Sequence, residues 1–163
     1  MVRSSIILAV AVALCIGGAG LPSEAIADDQ LPFVAELTSS ANLTPTDDAC
    51  VFRNDETGSG EATHLGSFAW MDVEWVDFCA IPGGVSVVGR FTMTAANGDL
   101  LHGELATTGV FEQDGKLDIH GDYFFTGGTG RFADATGSGE LDVTAYQSPG
   151  LPFEGRLRGT IDY

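Results

Sequence analysis

Histidine is the side chain best suited to proton transfer near neutral pH, and the sequence has three, His64, His102 and His120. In an alternating strand pattern, His102 and His120 share their faces with acidic residues, so both are predicted to face solvent. His64 shares its face with Phe68 and Trp70, which predicts a position inside the fold. These three residues form the predicted ligand-binding site, with His64 as a general base or a polar ligand contact. The alternative is a structural histidine that is hydrogen-bonded in the core.

Other residue patterns that carry chemistry are missing from the sequence. It has no H-x-H, H-E-x-x-H or C-x-x-C spacing for a metal and no D-x-D-x-D-G calcium loop. It has no G-x-S-x-G motif for a nucleophilic serine. Nearly all acidic residues are predicted to alternate outward, which disfavours the paired carboxylates of a glycosidase cleft. We therefore predict no metal and no cofactor, and the catalytic residues, if any, are unknown.

The first 27 residues have the pattern of a signal peptide. Arg3 provides the positive charge, residues 6–20 form an uncharged apolar stretch, and Ala25 and Ala27 flank a small-x-small cleavage site. The apolar stretch is shorter than the roughly 20 residues of a bilayer span, which disfavours an uncleaved anchor. We expect a secreted or periplasmic domain that covers residues 28–163 and has no membrane span.

Cleavage after Ala27 removes Cys15 and leaves two cysteines, Cys50 and Cys79. An even number of cysteines in an oxidising compartment indicates a disulfide. The alternative, a metal-binding or nucleophilic thiol, has no supporting spacing in the sequence.

The charge of the chain restricts its partners. The sequence has 23 acidic and 7 basic side chains and a formal net charge of −16. Nucleic acids and anionic lipid surfaces attract clusters of lysine and arginine, so neither is expected as a partner. An apolar fraction of 44% is large enough for a folded core and excludes a disordered acidic tail.

Apolar and polar residues alternate along most of the chain after residue 28, which predicts antiparallel sheet with one buried face. Turn-forming pairs such as Asn97-Gly98 and Asp114-Gly115 separate the alternating runs. The predicted strands number eight or nine, at residues 33–38, 49–53, 61–70, 72–79, 85–95, 99–108, 117–126, 139–146 and 153–162. An all-β barrel of about eight strands is the predicted fold, because closure removes exposed sheet edges, with a β-sandwich as the alternative.

The segment 61–76 carries two apolar sets of opposite parity. A bulge or turn between Trp70 and Asp72 would let both sets face inward, so an irregularity is expected there.

A glycine-rich run, residues 127–139, separates two of the predicted strands. Gly128 or Gly130 is expected to adopt a conformation that a Cβ atom would strain. Arg131 is expected to point outward while Phe132 packs beneath the barrel. A phosphate-binding loop is the alternative, but the run lacks the Walker lysine.

The run F-T-G-G-T-G-R-F at residues 125–132, followed by Ala135 and Gly137, resembles the allene oxide cyclase and dirigent group of eight-stranded barrels. It is more similar still to exported bacterial proteins of unassigned function that carry A-T-H-L-G, here residues 62–66, and A-A-N-G-D, here residues 95–99. The resemblance covers roughly residues 60–163. It implies a barrel that steers or cyclises a hydrophobic small molecule, and the catalytic residues of those families do not map onto this sequence.

Two functions follow from these patterns. The first is a non-catalytic exported barrel that binds a small apolar ligand or a partner protein. The second is an isomerase or cyclase that acts on a hydrophobic molecule inside the barrel. The first is favoured because the sequence reveals no buried acid–base pair. The oligomeric state is left open.

Overall fold

The computed structural model describes residues 30–146 and 152–163. The predicted signal peptide, residues 1–27, lies outside the described residues. The described residues form eight strands and one turn of 3₁₀ helix: β1 (Leu31–Pro45), β2 (Val51–Ala62), β3 (Gly66–Asp77), β4 (Gly84–Ala95), β5 (Leu100–Phe111), β6 (Lys116–Gly128), the 3₁₀ helix (Gly130–Phe132), β7 (Ser138–Tyr146) and β8 (Pro152–Ile161).

The eight strands form one closed antiparallel barrel. Each strand pairs with the next strand in the sequence, and β8 pairs with β1 to close the sheet. The predicted all-β barrel is confirmed, and the alternative of a sandwich is wrong. Closure leaves none of the eight strands with an unpaired edge, and eight strands are enough to close a barrel whose interior is filled by side chains. In the described part of the chain, we find no helix with the length and apolar character of a membrane span.

The irregularity expected between Trp70 and Asp72 is wrong. β3 runs without interruption, and its register with both β2 and β4 is continuous. Trp70 and Asp72 point inward, whereas Met71 and Trp75 are exposed on the outer surface. The register shift in the barrel lies between β5 and β6 instead, at His102 and its neighbour.

One end of the barrel is filled by aromatic side chains. Phe33, Phe91, Tyr123 and Phe125 contact one another with ring centroids 4.9 to 6.3 Å apart. Phe132, on the 3₁₀ helix, is fully buried and closes this end. We call this the packed end of the barrel. The connections β2–β3, β4–β5 and β6–β7 lie here, and the connections β1–β2, β3–β4 and β5–β6 lie at the opposite end.

The glycine-rich run behaves as predicted. Gly130 has φ +58, and a Cβ atom on Gly128 would lie 1.9 Å from the backbone oxygen of Leu100. Arg131 is exposed, and its guanidinium lies 4.7 Å from the ring centroid of the buried Phe132. The run is therefore a tight connection that seats Phe132 beneath the barrel.

The predicted disulfide joins Cys50, before β2, to Cys79, after β3. Their Cα atoms are 5.5 Å apart, within the usual range for a disulfide. The bridge therefore ties two connections together at the end of the barrel opposite the packed end.

Candidate ligand-binding site

The barrel interior away from the packed end contains a cavity of about 80 Å³. One water molecule needs roughly 10–15 Å³ on this measure, so the cavity has room for several waters or one small ligand. Aliphatic and aromatic side chains form most of its wall, and polar side chains from β1, β2, β3 and β5 form the rest. The lining residues include Ser39, Asn54, Glu56, Trp70, Asp72, Glu74, Val87, Leu105, Thr107 and Leu141.

Three acidic side chains meet in this cavity. Glu56 on β2 and Asp72 on β3 are buried, Glu74 on β3 is partly buried, and carboxyl oxygens of the three lie within 4.8 Å of one another. The register of the two strands places Glu56 directly opposite Asp72 and Asn54 opposite Glu74. Strand alternation then turns all four side chains toward the barrel interior. We call Glu56, Asp72 and Glu74 the carboxyl cluster.

Neutral hydrogen-bond donors hold part of this cluster in place. The Asn54 side-chain amide donates to Glu74 Oε2 at 2.9 Å and to Glu56 Oε2 at 3.4 Å. The backbone N–H of Asn42 donates to Asn54 Oδ1 at 3.2 Å, which fixes the orientation of the amide. The Ser39 hydroxyl donates to Glu56 Oε1. None of these donors carries a positive charge, so the chain does not neutralise the cluster through them.

Burial and mutual repulsion make the cluster retain protons. Burial and the charges of Glu74 and Glu56 raise the pKa of Asp72 to about 11. Burial and the charge of Glu56 raise the pKa of Glu74 to about 7. Burial also raises the pKa of Glu56, against the hydrogen bonds from Ser39 and Asn54. Asp72 therefore holds a proton at neutral pH, as expected when like carboxyl groups share a site.

Two buried polar atoms in the cavity wall have no hydrogen-bond partner among the described residues. They are Asp72 Oδ1 and Trp70 Nε1, on side chains that are 5% and 3% exposed; the Trp70 indole makes no hydrogen bond of normal geometry, yet it lies close enough to Asp72 and Glu56 to lower the pKa of both against the effect of burial. The Trp70 ring stacks on Phe91 with centroids 4.9 Å apart, which fixes its position. Unsatisfied buried polar atoms are uncommon in folded proteins and are concentrated where a ligand or water completes the bonding.

This arrangement can do two things chemically. A protonated carboxyl group beside ionisable ones can donate and accept protons, as general acid–base catalysis requires. Oxygen atoms at these distances can also contact a small cation. A hard divalent ion takes six or more oxygen ligands, and the largely apolar wall offers few beyond the cluster itself.

The structure brings only part of the predicted site together. Trp70 lines the cavity, as predicted. Phe68 is buried inside the barrel, with its ring against Gly60, but it does not line the cavity.

The interior position predicted for His64 is wrong. His64 lies in the β2–β3 turn with φ +68, and its side chain is directed over the surface. Its Nε2 lies 3.0 Å from the backbone oxygen of Pro32, and its Nδ1 lies 3.2 Å from the Tyr163 hydroxyl. The alternation argument fails here because β2 ends at Ala62, before the histidine. Six residues of extended strand, a length of roughly 20 Å, separate Gly66 at the start of β3 from Asp72. The turn that carries His64 therefore lies far from the carboxyl cluster.

The outward positions predicted for the other two histidines are confirmed. His120 is exposed, and its Nδ1 lies 2.7 Å from Asp142 Oδ1. His102 lies on the outer face of β5, with Nδ1 3.0 Å from the Thr92 hydroxyl. Both contacts are between neighbouring strands on the outside of the barrel.

Sequence reasoning missed the carboxyl cluster, because it expected the acidic residues to face outward. The missing signal is parity along β3: Asp72 and Glu74 share their face with Phe68, Trp70 and Val76. A single uninterrupted strand across residues 66–77 would have placed both acids inside.

Comparisons of the chain with protein-family models, with curated proteins and with solved structures yield no match.

Proposed function

We propose that this chain is an exported barrel that binds a small, largely apolar molecule inside the barrel without converting it. The observation that carries the proposal is the cavity, in which apolar walls surround a small set of convergent polar groups. That combination is typical of ligand-binding sites. Polar groups buried without partners destabilise a fold, and proteins retain such groups mainly at functional sites.

The proposed location is outside the cytoplasm, in a secreted or periplasmic compartment. It is supported by the signal-peptide pattern of residues 1–27 and by the Cys50–Cys79 disulfide. The proposed kinship with the allene oxide cyclase and dirigent group rests on the motif at residues 125–132 and carries no residue role with it.

The two tryptophans of the chain provide an internal test of binding. Trp70 lines the cavity, whereas Trp75, on the same strand, is exposed on the outer surface. We expect benzyl alcohol, used as a probe, to shift the indole N–H signal of Trp70 in ¹⁵N-labelled protein. The Trp75 signal should stay in place.

A pair of matched variants locates the probe. Val87 lines the cavity, and the adjacent Val88 is 52% exposed on the outer face. Val87→Phe should fill the cavity and abolish the Trp70 response, whereas Val88→Phe should leave it intact. If benzyl alcohol and other single-ring probes leave Trp70 unshifted in the unsubstituted protein, the proposed binding function is wrong.

A second candidate function, an isomerase or cyclase, is favoured by the position of the Asp72 and Glu74 carboxyl groups in the cavity wall, with oxygen atoms within 4.8 Å of each other. The pKa of Asp72 is raised far above neutrality, and the pKa of the adjacent Glu74 is raised to about 7. Such a pair can remove a proton from one atom of a substrate and deliver a proton to another, with no net change in atoms. The unsatisfied Asp72 carboxyl group is the proposed acid.

Solvent exchange separates the two candidates. Molecules retained by the purified protein are extracted, identified by mass spectrometry and returned to it in D₂O. An isomerase would incorporate deuterium into the retained molecule, and Asp72→Asn would stop incorporation while binding persists. Binding without incorporation supports the non-catalytic proposal.

A further inference from the structure

We propose that the molecule bound in the barrel is a small amphipathic amine, with its protonated amino group against the carboxyl cluster and its apolar body against the cavity walls. The inference rests on the proposed binding function and names the chemical class of the ligand.

The charge of the cavity is the first argument. Glu56, Asp72 and Glu74 line it, and no lysine, arginine or histidine of the described chain does so. A buried group of carboxyls without a cationic partner is unfavourable, because each ionised member is desolvated and repels the others. Without a cation the cluster relieves this repulsion by retaining protons, whereas a positively charged ligand would supply a counter-charge and let the carboxyls ionise. An anionic ligand would add a further repulsive charge.

The count of donors and acceptors is the second argument. The carboxyl cluster has six oxygen atoms, and the chain supplies hydrogen bonds to Glu56 and Glu74 through Ser39 and Asn54. Asp72 Oδ1 lines the same cavity, is buried and has no partner in the described chain. An ammonium group has three N–H donors, one for each carboxyl group. A neutral alcohol has one donor and would leave acceptors unmet.

The walls are the third argument. Apart from the carboxyl cluster and a few neutral polar groups, the cavity is lined by apolar side chains, among them Val87, Leu105 and Leu141. These groups cannot ligate a hydrated metal ion, but they match a hydrocarbon body. The size of the cavity restricts that body to about one ring.

Matched probes test the charge without altering the protein. Benzylamine, benzyl alcohol and benzoate share one ring and differ in the charge of the head group. We expect benzylamine to bind about tenfold or more tightly than benzyl alcohol, followed through the Trp70 indole N–H signal. Benzoate should bind most weakly.

Variants then assign the preference to the carboxyl cluster. Glu56→Gln and Asp72→Asn should each lower the affinity for benzylamine about tenfold and leave the affinity for benzyl alcohol within about threefold. Glu61→Gln is the control, because Glu61 is an exposed acid on the outer face of the same strand as Glu56. Thermal melting checks that each variant is folded. Equal loss in Glu61→Gln would mean that the general negative field attracts the amine, and would overturn the assignment.

The outcomes separate this inference from the proposed function. If benzyl alcohol binds as tightly as benzylamine, the barrel binds ligands but the amine class is wrong. If Ca²⁺ or Mg²⁺ shifts the Trp70 signal and displaces benzylamine, while benzylamine has no advantage over the alcohol, the cluster is a metal site and the inference is overturned. If no probe shifts Trp70, the proposed function itself is wrong.

Discussion

At the scale of single residues, the carboxyl cluster is the part of the protein that stability alone does not explain. The barrel places Glu56 and Asp72 directly opposite each other on neighbouring strands, and like charges in such positions are destabilising. An apolar pair would fill the same space with no desolvation penalty. The chain has two acids and an unsatisfied oxygen there, and this cost in stability supports the proposed binding site.

Replacing Asp72 should therefore stabilise the protein while it impairs the site. Asp72→Asn keeps the shape of the side chain and removes the ionisable group, so we expect the free energy of unfolding to rise by about 1 kcal/mol near pH 8. Chemical denaturation measures the change. Asp122→Asn, at an exposed acid on β6, is the control and should have an effect within about 0.5 kcal/mol. A fall in stability at Asp72 would show that its carboxyl group is a stabilising element.

The stability of the protein should fall as the pH rises. Burial raises the pKa of Glu56, Asp72 and Glu74 in the folded state, so the folded chain binds protons more tightly than the unfolded chain. The stabilisation that these bound protons contribute is complete below the ordinary carboxyl pKa of about 4. It is lost as the pH passes about 7, where Glu74 ionises, and approaches about 11, where Asp72 ionises.

The measurement is the melting temperature between about pH 5 and about pH 8, where it should decrease. The other side chains that line the cavity on β1, β4 and β5, including Ser39, Val87 and Thr107, do not titrate in this range. Exposed acids contribute in the same direction through mutual repulsion, so Asp72→Asn should reduce the pH dependence without removing it. An identical pH profile in the variant would contradict the assignment to the cluster.

At the scale of strands and turns, the sequence correctly predicts the strands in which apolar and polar residues alternate. It fails at strands that carry polar residues on the inward face. The alternation that identified β4 and β6 is apolar inside and polar outside, as the hydrophobic effect requires. β2 was predicted to stop at residue 53, because the next residues are polar or glycine, yet it continues to Ala62. Its inward residues Asn54 and Glu56 line the candidate site, so the polar composition that hid the strand is also what places polar groups in the cavity.

The same reasoning explains the error at His64. Predicting the strand from residue 61 onward placed the histidine on an inward face, whereas the chain turns at residues 63–65. A non-glycine residue at positive φ in a turn has no signature in a period-two pattern. Turn geometry and strand ends depend on pairing with distant strands, which the local sequence does not specify.

A substitution at Gly128, the last residue of β6, tests the tight packing at the start of the glycine-rich run. A Cβ atom on Gly128 would lie 1.9 Å from the backbone oxygen of Leu100, so Gly128→Ala must displace backbone. We expect a loss of more than about 1 kcal/mol in the free energy of unfolding. Gly115→Ala is the control, since Gly115 has φ +83 but nothing within 4 Å of its Cβ position. Gly128 does not have a positive φ, so a loss at Gly128→Ala no greater than that at Gly115→Ala would show that the close contact costs no more than positive-φ strain alone.

At the scale of the whole molecule, the barrel is divided along its axis into a part that supplies stability and a part that supplies the site. Aromatic rings and Phe132 fill the packed end, and the cavity lies further along the interior among side chains that include Leu37, Val85 and Leu141. The disulfide joins two connections at the end of the barrel opposite the packed end. A covalent link contributes stability there in addition to the aromatic contacts among Phe52, Phe78 and Phe111.

Removing the disulfide should lower the free energy of unfolding while the barrel remains folded. The two cysteines are 29 residues apart, and closing a loop of that length contributes about 3 to 4 kcal/mol in the chain-entropy model. Cys50→Ser with Cys79→Ser should lower the free energy of unfolding by that order, measured by denaturation. Reduction of the unsubstituted protein is the matched control and should give the same loss. A loss below about 1 kcal/mol would show that the bridge constrains little.

Because β8 pairs with β1, the order of the strands around the barrel is cyclic. β1 and β8 pair from Leu31 with Ile161 to Ser40 with Pro152, and the Thr160 hydroxyl donates to Gln30 Oε1 at 2.9 Å. All the other strand pairs join strands that are consecutive in the sequence. A circular permutant that joins residue 163 to residue 30 by a short glycine-rich linker, and begins at Gly115 in the β5–β6 turn, would keep every one of these pairs. Such a permutant should melt cooperatively and keep the Trp70 response to benzyl alcohol, because the barrel depends on a cyclic order of strands and has no obligatory first strand.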